Sequence, residues 1–248
     1  NRLFYKTVNQ KKAIYYATGF IGTPIHELSH ALFCLIFFHK IEEMKLFQID
    51  DENGVLGYVR HSYNKKNPYQ LMGNYFIGVA PIICGALIVF LATRFLLPAA
   101  YTDIEACLND MMLLQNKGLS WDWISYSFAT LSETLKVFFI NITMGWRWWL
   151  FTIIVLCIAL HMNLSGADIK SAVTGIPFVI IIITVTNILL GFCFFSVYNK
   201  FILFMSTAGN YLIGALFISL IFSMSYVTLG GIGKLGINII KRIKVLKK

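Results

Sequence analysis

Hydrophobic runs of helix length alternate with short polar breaks along this chain. Apolar residues dominate from about Ala13 to Phe38, Leu71 to Leu97, Trp146 to His161, Pro177 to Val197 and Phe201 to Val227. A membrane-crossing helix needs about 20 such residues, so the pattern predicts five crossings, with room for a sixth. The first run is too long for a leader h-region and is followed by no small-residue cleavage site, so it is predicted to be retained. After Phe38 the period changes. Met44–Ile49 partly alternates apolar and polar residues, and Val55–His61 is β-branched and aromatic. Between them lies Asp50-Asp51-Glu52-Asn53-Gly54, acidic turn material ending in Asn-Gly. The prediction is a small β-hairpin directly after the first span, whose free edge an extended peptide could join. Residues 99–145 are the least apolar part, with amphipathic stretches near Asp103–Leu114 and Trp121–Phe139. All five tryptophans (Trp121, Trp123, Trp146, Trp148, Trp149) lie in or beside this segment, as an interfacial aromatic belt would. The expected architecture is an all-α polytopic membrane protein with five, or six, transmembrane helices. It forms a single membrane-embedded domain over 1–248, with an interfacial segment at 99–145, two further spans in 177–228 and a basic amphipathic tail at 229–248.

Composition sharpens this reading. Hydrophobic residues make up 57% of the chain and charged residues only 13%, with a mean hydropathy of +0.68. A soluble domain carries about 25% charged residues. Net charge is +9, and Lys234, Lys241, Arg242, Lys244, Lys247 and Lys248 gather at the end. On so apolar a chain this reads as a topology signal or an anchor on anionic lipid, with no nucleic-acid partner. The basic tail predicts a cytoplasmic C-terminus in a bacterial-type cytoplasmic membrane. Cys34, Cys84, Cys107, Cys157 and Cys193 form no C-x-x-C pair and suggest neither a disulfide framework nor a zinc ribbon.

The chemistry concentrates in the first run, at His26-Glu27-Leu28-Ser29-His30. On a helix, residues four apart share a face, so His26 and His30 can present two imidazoles to one ion, Zn²⁺ above all. Glu27 is then placed as the general base that takes a proton from the attacking water. Ionisable groups are expensive in hydrocarbon and mark function there. A catalytic zinc wants three protein ligands and one open position. Asp168 follows a span and is the only carboxylate between Glu133 and the C-terminus, so elimination favours it as the third ligand. His161 competes as an alternative ligand or as a group behind the ligands. If helical, His161, Ser165 and Asp168 share a face. Asn163 and Ser165 are candidates for orienting substrate. His39 and His61 are read as hydrogen-bonded structural residues.

These pieces resemble the site-2 protease family of intramembrane zinc metalloproteases, over about residues 13–170. His26–His30 is similar to that family's H-E-x-x-H. Leu56-Gly57-Tyr58-Val59-Arg60 is similar to its Gly-Gly-Tyr-Val-Lys strand, with Leu56 in place of the first Gly. Ala80-Pro81 is similar to its Gly-Pro-x-x-Asn segment, with Cys84 where the Asn would stand, and Asp168 matches the aspartate of Leu-Asp-Gly without the following Gly. The resemblance implies a three-helix catalytic core. It also implies cleavage of a transmembrane or membrane-associated protein beside the strand, so that Gly57, Tyr58 and Val59 would contact substrate. Two rivals stand beside it. A CAAX-type membrane metalloprotease would take a glutamate from E-x-x-x-D, but neither Glu105 nor Glu133 has an Asp four residues on. A catalytically inactive membrane scaffold of the same fold would have no need of Glu27.

Overall fold

The computed structural model describes residues 12–49, 55–115 and 145–246, with Trp121, Ser132, Lys136 and Ile140 between them. It is mostly helical. Helix α1 runs Lys12–Ile36 and is followed by strands β1, Lys40–Lys45, and β2, Tyr58–Ser62. Helices α2, Pro68–Leu96, and α3, Pro98–Gln115, come next, then α4, Trp146–His161, α5, Gly166–Cys193, and α6, Phe195–Leu246. Three stretches among the described residues are long and apolar enough to cross a membrane: Pro68–Leu96, Gly166–Phe192 and Phe195–Leu220. Helix α4 is apolar but shorter, at 16 residues. Helix α1 is 25 residues long but is not among the three, because two histidines and a glutamate dilute its apolar content.

Helix α2 is the hub, packing on α1, α4, α5 and α6. Its N-terminus is well specified: Asn67 accepts from the N–H groups of Tyr69 and Gln70, and Pro68 opens the first turn. The apolar core lies at the α2–α3–α4–α6 junction, where Val89, Leu97, Phe151, Val155 and Ile158 are essentially closed to solvent. Small residues bring helices together nearer the histidines. A Cβ at Gly22 on α1 would collide with the Cys157 carbonyl and approach His161 Cβ at 2.8 Å. One at Gly78 on α2 would meet Ala172 Cβ of α5 at 2.9 Å.

The hairpin is present, with its first strand displaced from the predicted place. Helix α1 ends in a Schellman-type turn: the His39 N–H donates to the Cys34 carbonyl at 2.8 Å and Phe38 sits at φ 56°. That turn leads straight into a strand at Lys40, rather than at Met44. The antiparallel register pairs Ile41 with His61, Glu43 with Arg60 and Met44 with Val59, with an irregularity between Ile41 and Glu43. The predicted turn at 50–54 lies outside the described residues, as do the N-terminal approach, most of Trp121–Phe139 and the last two lysines. Helix α3 covers the first amphipathic stretch. Helix α5 begins eleven residues before the predicted Pro177, and the break into α6 falls at Phe194 instead of at Tyr198–Lys200. The Ser165–Asp168 capping box sets the earlier start of α5. The backbone of α6 continues helical through Gly230, Gly231 and Gly233 to Leu246.

Candidate metal centre

His26 and His30 come from consecutive turns of α1, and their Nε2 atoms lie 3.1 Å apart. Asp168 enters from the first turn of α5. Its Oδ1 is 3.2 Å from His30 Nε2 and its Oδ2 is 3.8 Å from His26 Nε2. One potential ligand atom from each of the three residues falls within 4.8 Å of the others. This group could hold a metal ion.

The other ring nitrogens show why a cation suits the space between them. His26 Nδ1 lies 2.8 Å from the His161 carbonyl, and His30 Nδ1 lies 2.7 Å from the Ile77 carbonyl. A carbonyl only accepts, so both Nδ1 atoms carry the proton. When neutral, imidazoles so fixed turn two Nε2 lone pairs toward each other with a carboxylate alongside. Three electron-rich atoms without a proton among them repel, and a divalent ion removes the conflict. Carbonyl-anchored histidines are also the usual outer support of zinc ligands.

Both carbonyls are free for local reasons. Ile77 would normally bond the N–H four residues on, but residue 81 is proline, which has none. His161 is the last residue of α4, where carbonyls have no helical partner. His161 therefore serves the centre through its main chain. Its ring points elsewhere, with Nε2 3.1 Å from Thr18 Oγ1, and it is not a member of the three-residue group.

Asp168 is aimed by a capping box. Ser165 Oγ accepts from the Asp168 N–H at 3.1 Å, and Asp168 Oδ2 accepts from the Ser165 N–H at 2.6 Å. Asp168 thus takes part in the helix cap and in the candidate ligand set at once. The box also starts α5 at Gly166, so His161, Ser165 and Asp168 do not continue one helix, and their predicted common face is replaced by a break over Met162–Leu164.

A cavity of about 210 Å³ opens onto the group. Glu27, Gly57, Tyr58, Val59 and Ser165 line it together with the three ligand candidates. Glu27 is 6% exposed. Gly57 is required for the close approach of strand and helix: a Cβ there would meet Glu27 Cγ at 2.8 Å and the Lys45 and Leu46 carbonyls at 2.9 Å. Asn163 is exposed and does not line the cavity. Sequence reasoning passed over His61, Ile77, Gly78 and Ser171, which do line it. His61 was within reach, since strand alternation puts it on the same face as Val59. The Ile77 carbonyl was signalled only by Pro81 four residues later. The Tyr58 hydroxyl and the Arg60 guanidinium both donate to Glu43 on β1.

His39 and His61 are hydrogen-bonded, as expected. Their Nδ1 atoms are 3.0 Å apart, and His39 Nε2 lies 2.8 Å from the Gln70 carbonyl. Burial pushes the His61 imidazole down to about 4, helped by the neighbouring His39. Burial likewise lowers His39. Comparison of the chain with family models, with curated proteins and with solved structures gives no match, so the resemblance rests on the motif residues themselves.

Proposed function

We propose that this chain is a zinc-dependent intramembrane endopeptidase that cleaves a transmembrane or membrane-associated protein. One observation carries the reading: potential ligand atoms, one from each of two carbonyl-anchored imidazoles and a carboxylate, converge beside the buried Glu27. His26, His30 and Asp168 would hold the ion. Zinc, when bound there, polarises a peptide carbonyl and makes water a better nucleophile near neutral pH. Glu27 accepts a proton from the attacking water as its oxygen bonds to the carbonyl carbon. Glu27 then returns that proton to the leaving amine as the C–N bond breaks. Gly57, Tyr58 and Val59 form the wall against which an extended peptide rests. The proposed membrane arrangement has five spans: α1, α2, α4, α5 and the apolar first half of α6. The three-helix core is α1, α2 and α5, and the basic tail is cytoplasmic.

The test uses the purified full chain in detergent micelles. Elemental mass spectrometry should give one zinc per chain, lost in His26→Ala. A peptide library prepared from a membrane extract, read by mass spectrometry, should show cleavage that disappears in Glu27→Gln while its zinc content stays. A wild-type chain that holds no zinc, or a Glu27→Gln chain that cuts as well as wild type, rejects the reading.

A further inference from the structure

The imidazole pair beside the centre has a fixed proton order. The Gln70 carbonyl only accepts, so His39 Nε2 carries a proton and donates to it at 2.8 Å. Neutral His39 is then bare at Nδ1. At 3.0 Å, His61 Nδ1 must be the donor to it. His61 is left with its lone pair on Nε2, and His61 is part of the cavity wall. Among the described residues nothing else is bonded to that nitrogen.

The support behind His61 is rigid. His39 is 4% exposed. Its ring stacks on Tyr63 with centroids 5.0 Å apart and planes 20° apart. Gly73 of α2 makes room for it, since a Cβ there would approach His39 Nε2 at 3.0 Å. The remaining walls already carry their roles: the ligand candidates, Glu27, and a strand face that includes Val59 on the same side as His61. On the strand side the lining is Gly57, Tyr58, Val59 and His61, and of the two polar side chains the Tyr58 hydroxyl is engaged with Glu43. A peptide lying along β2 brings main-chain N–H donors to that face.

We propose that His61 holds the peptide substrate by accepting one of its main-chain N–H groups at Nε2, with His39 fixing the tautomer that permits this. The inference rests on the hydrolase reading above. His61 does not transfer a proton; it fixes where the peptide sits relative to Glu27.

The experiment measures steady-state cleavage of a fluorogenic copy of the best-cut library peptide, with zinc content as a check on the fold. His61→Phe should raise KM about three- to tenfold, the effect of one neutral hydrogen bond, with kcat nearly constant. His61→Gln, whose Oε1 can stand near the place of Nε2, should recover most of the loss. Independently of activity, long-range proton–nitrogen NMR spectra should show His61 protonated at Nδ1 and His39 at Nε2. An unchanged KM in a zinc-loaded His61→Phe chain, or the opposite tautomers, overturns the inference and leaves the hydrolase reading intact. A wild-type chain without zinc or cleavage removes both.

Discussion

Replacing Pro81 by alanine should loosen the grip on zinc without weakening the fold. The new N–H at residue 81 lies four positions after Ile77 and competes for the carbonyl that now accepts from His30 Nδ1 at 2.7 Å. A neutral hydrogen bond contributes about 0.5–1.5 kcal/mol, and losing the outer support of a zinc ligand costs about 10- to 100-fold in affinity. A carbonyl has two lone pairs, so some of the His30 bond survives, and we expect about a tenfold loss, the low end of that range. Stability moves differently. Pro81 is fully buried, and alanine removes two ring methylenes, a cost of about 1.6 kcal/mol at 0.8 each. Against this, proline in a helix interior costs about 3 kcal/mol. The metal-free variant should therefore melt no lower than wild type. Zinc affinity is measured by competition with a chromogenic chelator, and melting in the same detergent by circular dichroism. Equal zinc affinity within a factor of two, with melting unchanged or raised, would refute the claim that Pro81 sets the His30 tautomer.

Three further outcomes follow from the geometry. Ser165→Ala removes the hydroxyl that accepts from the Asp168 N–H and should cost about 1 kcal/mol of helix stability. Zinc binding should fall only a few-fold, whereas Asp168→Ala should abolish it; chelator competition separates the two. Gly57→Val forces a side chain into the 2.8 Å approach to Glu27 Cγ, and a shift of about 1 Å at a catalytic group can cost a hundredfold in rate. Zinc content should be unchanged while peptide cleavage collapses. His61 ionises near 4 in the fold, below its ordinary 6.5, so the unfolded chain binds protons first. Its contribution is complete above about 6.5 and is lost as pH falls toward 4. The melting temperature of wild type should fall more steeply than that of His61→Phe between pH 7 and pH 4.5.

The motif on α1 was legible because covalent spacing alone stacks His26 on His30. Asp168 was legible by scarcity, since no other carboxylate follows Glu133. The supports were not. His30 meets Ile77 across 47 residues of chain and His26 meets His161 across 135, and no local pattern encodes such pairings. The start of α5 was misjudged because Lys170, Ser171 and Thr174 interrupt the apolar run, although the Ser165-x-x-Asp168 cap announces a helix there. The strand shift has a similar origin: alternation is visible only from Met44, whereas the Schellman turn at Phe38 sets the true starting point.

The Ser165–Asp168 box fixes where α5 begins and so how far along that helix the carboxylate stands. The helix is keyed to α2, where Gly78 admits Ala172 and Ser171 Oγ donates to the Asn74 carbonyl at 3.2 Å. Sliding it by a single turn, about 5.4 Å, would carry the carboxylate away from both imidazoles. An ion bound there would therefore tie the α2–α5 pair to α1 at that one alignment. Removing it should loosen α1 from that pair while each helix stays intact.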